Sequence, residues 1–210
     1  MQRVVLPEYL DTLPPEDPIA QRSRRDLVRI NALMGNLRWI RRVLREKFPG
    51  ARVIEVGAGD GRLSSALADD GSEVTAVDLA PRPEGCSVKV RWIQGDVNEV
   101  LHDLEGDVVV ASLFWHHFEE KELSKLALLL RKYRGVIASE PWRMRHALWL
   151  GATLVPFVNA VTRHDMFVSI KAGFRAGELP ALWDLRSENW RVEETGALLG
   201  AYRLQAWQNG

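Results

Sequence analysis

A chain of 210 residues and 23.8 kDa can bury a single core without disulfides or metal ions to staple it. Its 46% hydrophobic and 27% charged residues, with eight Trp, exclude a disordered or fibrous chain. Basic and acidic residues number 28 each, which argues against a generic nucleic-acid clamp, and the single Cys86 excludes an internal disulfide or a Cys-based zinc site.

Residues 1–20 are interrupted by Pro7, Pro14, Pro15 and Pro18 and carry four carboxylates, so they read as an extended arm and not as a secretory signal. Two amphipathic helices are expected next. Leu27, Ile30 and Met34 mark the first, and Leu37, Ile40 and Leu44 the second, which stops at Pro49-Gly50. Residues 22–47 hold nine cationic side chains against Asp26 and Glu46, a local charge of +7 that the other 184 residues balance with −7. Opposite signs suit docking of this helical cap on an acidic core, although solvation explains much of the pattern.

From Arg52 the pattern alternates strand and helix. Strands are expected at 53–56, 73–78, 88–94, 107–112 and 135–139, with helices at 62–68 and 119–132. Such spacing implies parallel βαβ units covered on both faces. Residues 190–195 and 201–207 have no room for a helix between them, so an antiparallel hairpin closes the sheet. The expected architecture is one α/β domain over 1–210. An arm and helical cap fill 1–50, and a Rossmann-like core fills 51–210 with an apolar lid around 146–180. The apolar run 147–161 is shorter than a membrane span of about 20 residues and contains Pro156 and Asn159. A soluble, cytoplasmic protein is expected.

The strongest local signal is Glu55-Val-Gly57-Ala58-Gly59-Asp-Gly61, between the first strand and its helix. The spacing is G-x-G-x-G, whereas a pyrophosphate is seated by G-x-G-x-x-G. Glu55 would repel a pyrophosphate and attract an ammonium or sulfonium group. Asp78 ends the second strand, where a carboxylate accepts both hydroxyls of a ribose. Asp96 follows the third strand, placed to accept from an exocyclic amine. A ligand with a cationic amino-acid end, a ribose diol and a purine is implied; NAD fits that description poorly, and a cofactor-free domain leaves the three carboxylates unexplained.

On these residues the sequence resembles the class I S-adenosylmethionine-dependent methyltransferases, from about Arg52 to Trp207. The resemblance implies a seven-stranded, mostly parallel sheet with a terminal antiparallel hairpin and S-adenosyl-L-methionine as cofactor. It places Glu55, Gly57, Ala58, Gly59 and Gly61 at the methionine end and Asp78 at the ribose. Leu79 would pack on the adenine, Asp96 and Val97 would read its edge, and Ser112 and Leu113 at the end of strand four would complete the cofactor set.

Strand four runs into Ser112-Leu-Phe-Trp115-His116-His117-Phe118. The Asn/Asp-Pro-Pro-aromatic motif of base-amine methylation is missing, as is the carboxylate that magnesium-dependent catechol methyltransferases place at Ser112, so no metal is implied. The Trp-His-His-Phe pattern is similar to the small-molecule branch that includes ubiquinone and menaquinone biosynthesis methyltransferases. Asn31-Ala-Leu-Met34-Gly35 and Arg38-Trp39-Ile-Arg41-Arg42 resemble the segment ahead of that branch's glycine loop.

A phenol or enol acceptor needs a base near neutrality, most naturally histidine. His116, His117 and His164 are the candidates. His116 and His117 also read as helix N-terminal or cleft-lining residues, and Thr162-Arg163-His164-Asp165 also reads as a capping box opening a helix. Adjacent helical residues do not face each other, so Asp165 is expected to orient His164 only from a loop. Trp115, Trp142, Trp149 and Phe157 are expected either in the core or as the wall of an apolar substrate pocket. The reading is methyl transfer to a small apolar or aromatic hydroxyl compound, with O-methylation ahead of C-methylation. An RNA or protein methyltransferase and a non-catalytic cofactor-binding module stay open.

Overall fold

The computed structural model describes residues 1–14, 16–186 and 189–209, so Pro15 of the arm lies outside them. A single seven-stranded sheet has the order β3-β2-β1-β4-β5-β7-β6. Its strands are β1 (Val53–Val56), β2 (Val74–Asp78), β3 (Arg91–Gln94), β4 (Val108–Ser112), β5 (Gly135–Pro141), β6 (Trp190–Gly196) and β7 (Ala201–Gln208). β1 to β5 pair in parallel, while β7 runs antiparallel to both β5 and β6. The order steps outward from β1 to β3 and then returns to β4, so the carboxyl ends of β1 and β4 flank the reversal where such sheets bind ligands. The expected α/β architecture with its terminal hairpin is what forms.

The chain enters through an extended arm and a 3-10 turn, Tyr9–Thr12. α1 (Pro18–Met34) starts where Pro18 follows Asp17, whose Oδ1 accepts from the Ile19 amide at 2.7 Å. It ends at Gly35 with φ +69°, a conformation glycine adopts without penalty. α2 (Asn36–Lys47) follows immediately and buries Trp39, Ile40, Val43 and Leu44 against Val53, Val108, Val110 and Ile137 of the sheet. Each such side chain contributes about 1.5–3 kcal/mol.

Two details of the cap differ from expectation. Leu37 is exposed, whereas Ile40 and Leu44 are buried as expected and Trp39 and Val43 join them in the buried stripe of α2. In α1 the fully buried positions are Ala20, Ser23 and Asp26, with Leu27, Ile30 and Met34 only half-buried. The cause is a polar seam. Ser23 and Asp26 meet Asn159 and Thr162 through Ser23 Oγ to Asn159 Oδ1 at 3.0 Å and Thr162 Oγ1 to Asp26 Oδ2 at 3.4 Å. Charge docking of the cap includes Arg41 with Asp70 and Lys47 with Glu193.

The opposite face of the sheet is covered by α5 (Glu120–Leu130) and α8 (Glu178–Leu182), with Trp115, Phe174, Trp183 and Tyr202 in its core. α3 (Arg62–Asp69) follows the glycine turn, and α4 (Val97–Val100) is a single turn after β3. The expected third strand, 88–94, shortens to its last four residues. Between β5 and the hairpin, α6 (Arg145–Leu154) and α7 (Ala160–Ala172) pack on each other through Ala147, Met166 and Ile170. No helix among the described residues is long and apolar enough to cross a membrane.

Candidate cofactor and acid–base site

The glycine turn after β1 has Gly57, Gly59 and Gly61 all at positive φ, between 54° and 70°. A Cβ on Gly57 would overlap the Phe114 ring, whereas one on Gly59 would meet nothing within 4 Å. The turn is therefore closed on its inner side and open at Gly59, a cradle for a ligand. Asp78 fixes its shape: Oδ2 accepts from the Gly59 amide at 2.7 Å and Oδ1 from the Ala80 amide at 2.8 Å. Leu79 beside it is 72% exposed. Asp96 caps α4 by accepting from the Asn98 amide at 2.8 Å, which leaves the Val97 amide on the same first turn.

Glu55 is buried and accepts a hydrogen bond from Ser64 Oγ. Burial pushes its carboxyl up to about 8, against the Ser64 hydrogen bond and with help from the charge of Asp60. The acid is therefore poised to lose its proton to a cationic ligand's field. Farther along the same edge, Ser112 of β4 and Arg203 of β7 both register with Ser139 of β5. Arg203 Nη2 donates to the Met34 carbonyl at 2.7 Å, so the α1–α2 turn covers this edge. Asn31 Oδ1, both side-chain amide atoms of Asn36 and Ser139 Oγ are buried without a hydrogen-bond partner among the described residues. Unpaired buried polar atoms are costly, and these suit an amino-acid end placed beside Glu55.

At the end of β4, Leu113 has φ +57°, a strained conformation for a branched side chain. It turns the next three amides onto one carboxylate. Glu140 at the end of β5 accepts from Phe114 N at 3.1 Å, Trp115 N at 3.0 Å and His116 N at 3.3 Å, and lies 2.8 Å from His116 Nδ1. The other ring nitrogen, Nε2, faces Glu8 of the arm at 3.5 Å. Burial disfavours the His116 charge, but the hydrogen bonds to Glu140 and Glu8 outweigh it and push the ring up to about 9. Glu8 in turn is held below the usual carboxylate range despite its burial. His117 is pushed down to about 4 by desolvation and by the His116 charge. It keeps an exposed edge, so the neighbouring charge is the firmer cause. The two rings lie 4.2 Å apart.

Glu8, His116 and His117 bring three donor atoms within 4.8 Å of one another. Both His116 nitrogens face carboxylates, however, and an imidazolium donates two protons where a metal would need a lone pair. The group therefore acts as a charged hydrogen-bond cluster.

His164 lies elsewhere on the arm's path. Its ring stacks on Tyr9 with centroids 3.7 Å apart, and Nδ1 is 3.0 Å from Asp165 Oδ1. Asp165 also accepts from the Tyr9 and Leu10 amides at 2.8 and 3.0 Å. Two expectations are corrected here. The capping residue of α7 is Asn159, whose Oδ1 takes the Thr162 amide at 2.8 Å, and not Thr162. His164 and Asp165 touch although both are inside the helix, because both lean toward the arm. Replacing Asp165 by Ala strips two arm amides of their acceptor. A loss of about 2 kcal/mol and earlier proteolytic cleavage within residues 1–12 are expected.

Of the two readings for the aromatic residues, Trp115 and Trp142 take the core one, and no pocket wall is assembled among the described residues. Trp115 is fully buried 5.2 Å from Trp183, while Trp149 and Phe157 are 77% and 75% exposed. The sequence reading missed Glu140, Glu8 and Ser64. Glu140 had a signal, a carboxylate inside the apolar run Val136-Ile-Ala-Ser-Glu140-Pro141; Glu8 lies 108 residues from its partner and had none.

Residues 54–136 match the family model described as a methyltransferase domain. A ubiquinone biosynthesis O-methyltransferase from Xanthomonas campestris pv. campestris is 60% identical over 66 residues, 31% of this chain and 23% of that protein. Its counterpart in Xylella fastidiosa is 66% identical over 32 residues, 15% of this chain and 13% of that one. The chain thus spans about a quarter or less of the length of these relatives. Among solved structures, the plantazolicin methyltransferase BpumL in complex with SAH superposes with a TM-score of 0.71 at 11% identity, covering 93% of this chain and 92% of that one. Magnesium protoporphyrin IX methyltransferase (ChlM) from Synechocystis PCC 6803 gives 0.56 at 15% identity, covering 95% and 91%. These likenesses establish the fold.

Proposed function

We propose that this chain, which has the class I methyltransferase fold and matches a methyltransferase domain over residues 54–136, transfers a methyl group from S-adenosyl-L-methionine to a small apolar or aromatic hydroxyl compound. The observation that carries the reading is the row of Glu55, Asp78 and Asp96 at the carboxyl ends of three adjacent parallel strands, around an open glycine turn. The cofactor brings an already activated methyl on a sulfonium. Glu55, Asn36 and Ser139 would hold its amino-acid end, Asp78 its ribose hydroxyls, and Asp96 with the Val97 amide its adenine edge. Exposed Leu79 gives the purine an apolar surface. The chain's remaining task is to hold an acceptor oxygen in line and take its proton.

The Glu8–His116–His117 cluster suits that second task. His116, paired with Glu8 and Glu140, stays an imidazolium at neutral pH, and His117 stays neutral. A hydroxyl placed against His117 gives up its proton to that ring, while the fixed His116 charge stabilises the oxyanion left behind. A ring held at about 4 is a weak base alone, so the neighbouring charge carries the larger part. This arrangement supports O-methylation, and the relatives named as ubiquinone biosynthesis O-methyltransferases are in keeping with a phenolic acceptor. Residues 146–180 and the arm would cover it.

With S-adenosyl-L-methionine and a panel of catechols and alkylphenols, His117→Ala should lose about 10²-fold in kcat, the low end for a general base, with unchanged cofactor affinity. His164→Ala should keep turnover, because His164 serves to dock the arm. Full turnover by His117→Ala would remove it from the mechanism, and transfer to RNA or peptide but to no phenol would refute the substrate class.

A further inference from the structure

The cationic face of α2 carries arginines that neither pair with a carboxylate among the described residues nor belong to the residues proposed for methyl transfer. We infer that Arg38, Arg42, Arg45 and Arg203 form a binding site for a multiply charged oxyanion, a phosphate or pyrophosphate group.

The three α2 arginines recur at i, i+4 and i+7, so they share one helix face. Arg203 of β7 completes a cavity of about 330 Å³ together with Gly35 and Trp39. No carboxylate among the described residues lines it. Other cations of the same helix are neutralised: Arg41 meets Asp70 at 2.5 Å and Lys47 meets Glu193 at 3.7 Å. Arg38, Arg42 and Arg45 have no such partner among the described residues.

Arg203 is the fixed element of the group. Its Nη2 donates to the Met34 carbonyl, its guanidinium lies 5.3 Å from the Trp39 ring centre, and its Nε is buried with no partner. Burial and the nearby charge of Arg42 hold it below the usual arginine range. The cluster is therefore self-repelling when empty, and a bound anion relieves the repulsion.

A single carboxylate engages one guanidinium fork. Four forks around one cavity match the several oxygens of a phosphate, and the volume leaves room for a second phosphate or an ester group. Arg203 registers with Ser139 on the edge proposed for the cofactor's amino-acid end, so the two sites adjoin and competition with S-adenosylhomocysteine tests that they are distinct.

The test is calorimetric titration of the full chain with sodium pyrophosphate, at ionic strength held constant with chloride. Saturable one-site binding is expected, weakened about tenfold or more by Arg42→Ala, which is exposed and leaves the core intact. Arg41→Ala, on the same helix but paired with Asp70, should bind as the wild type does. Binding should persist with saturating S-adenosylhomocysteine. Titration with inorganic phosphate, and with phosphatidylcholine vesicles containing phosphatidic acid, separates the sources of the group. Vesicle capture reversed by pyrophosphate identifies a lipid headgroup, and pyrophosphate binding without capture identifies a soluble ligand. The inference is overturned if pyrophosphate fails to saturate by about 10 mM, if both Arg42→Ala and Arg38→Ala bind like the wild type, or if S-adenosylhomocysteine displaces the anion.

Discussion

Glu55→Gln should make the empty protein more stable while destroying its affinity for cofactor. The buried carboxyl is raised from an ordinary 4.5 to about 8. Its contribution to stability is therefore complete below about pH 4.5 and is lost as pH rises through 8. At pH 7.5 the folded state carries a penalty of about 3–4 kcal/mol for keeping the group protonated while the unfolded chain ionises it. Glutamine keeps the shape and the hydrogen bond from Ser64, but leaves an amide donor to satisfy at a cost of about 1 kcal/mol. A net gain of about 2 kcal/mol, or a melting point roughly 4–8 °C higher, is expected for a chain of this size.

The same change removes the charge that faces the ligand's ammonium. A charge-assisted hydrogen bond contributes about 1.5–3 kcal/mol, so affinity should fall roughly 10- to 150-fold. The wild type should also bind more weakly as pH drops below 8, since binding must expel the Glu55 proton. Stability and affinity moving in opposite directions separates a binding carboxylate from a structural one.

Glu140→Ala is expected to have the largest destabilising effect. It strands three backbone amides and the Nδ1 proton of His116, of which all but the half-buried Phe114 amide are buried, and breaking such a charged cluster costs about 3–5 kcal/mol. Melting should fall by roughly 6–20 °C. The pH dependence identifies the cause. His116 is raised from 6.5 to about 9, so its pairing contributes about 3 kcal/mol below pH 6.5, and this is lost as pH rises through 9. The gap in melting temperature between the wild type and Glu140→Gln should therefore narrow above pH 9. A gap independent of pH from 6 to 10 would show that Glu140 acts only through the backbone amides.

The parts of the molecule legible in the sequence are those specified locally. Val53-Ile54-Glu55-Val56 with its glycine turn, the apolar β4, and the short 196–200 link between two strand-like runs each carry their own structure. The order of strands follows from βαβ connection rules once those are placed. The cofactor carboxylates were legible for the same reason, since each ends a strand. The acid–base cluster was legible only in part. His116 and His117 stand beside the strand that positions them, but what decides their charge comes from β5 and from the arm. Contacts across 24 and 108 residues leave no periodic trace. Leu37 and Trp149 show the converse limit: both are apolar at helical spacing, yet the partner surface stops short of them and both stay exposed.

The arm is the least expected element. A proline-broken segment reads as a tether, yet Glu8 reaches the histidines, Tyr9 stacks on His164, and Arg3 donates to the Phe118 and Ala172 carbonyls at 2.7 and 2.8 Å. It ties α7 to the β4 loop and supplies one carboxylate of the acid–base cluster.

Cofactor binding is the property on which the proposed methyl transfer depends. Calorimetric titration of the unmodified chain with S-adenosyl-L-methionine at pH 8 should show one saturable site, with heats that depend on buffer ionisation because a proton leaves Glu55. No binding at millimolar ligand, in a protein that melts cooperatively, would contradict it.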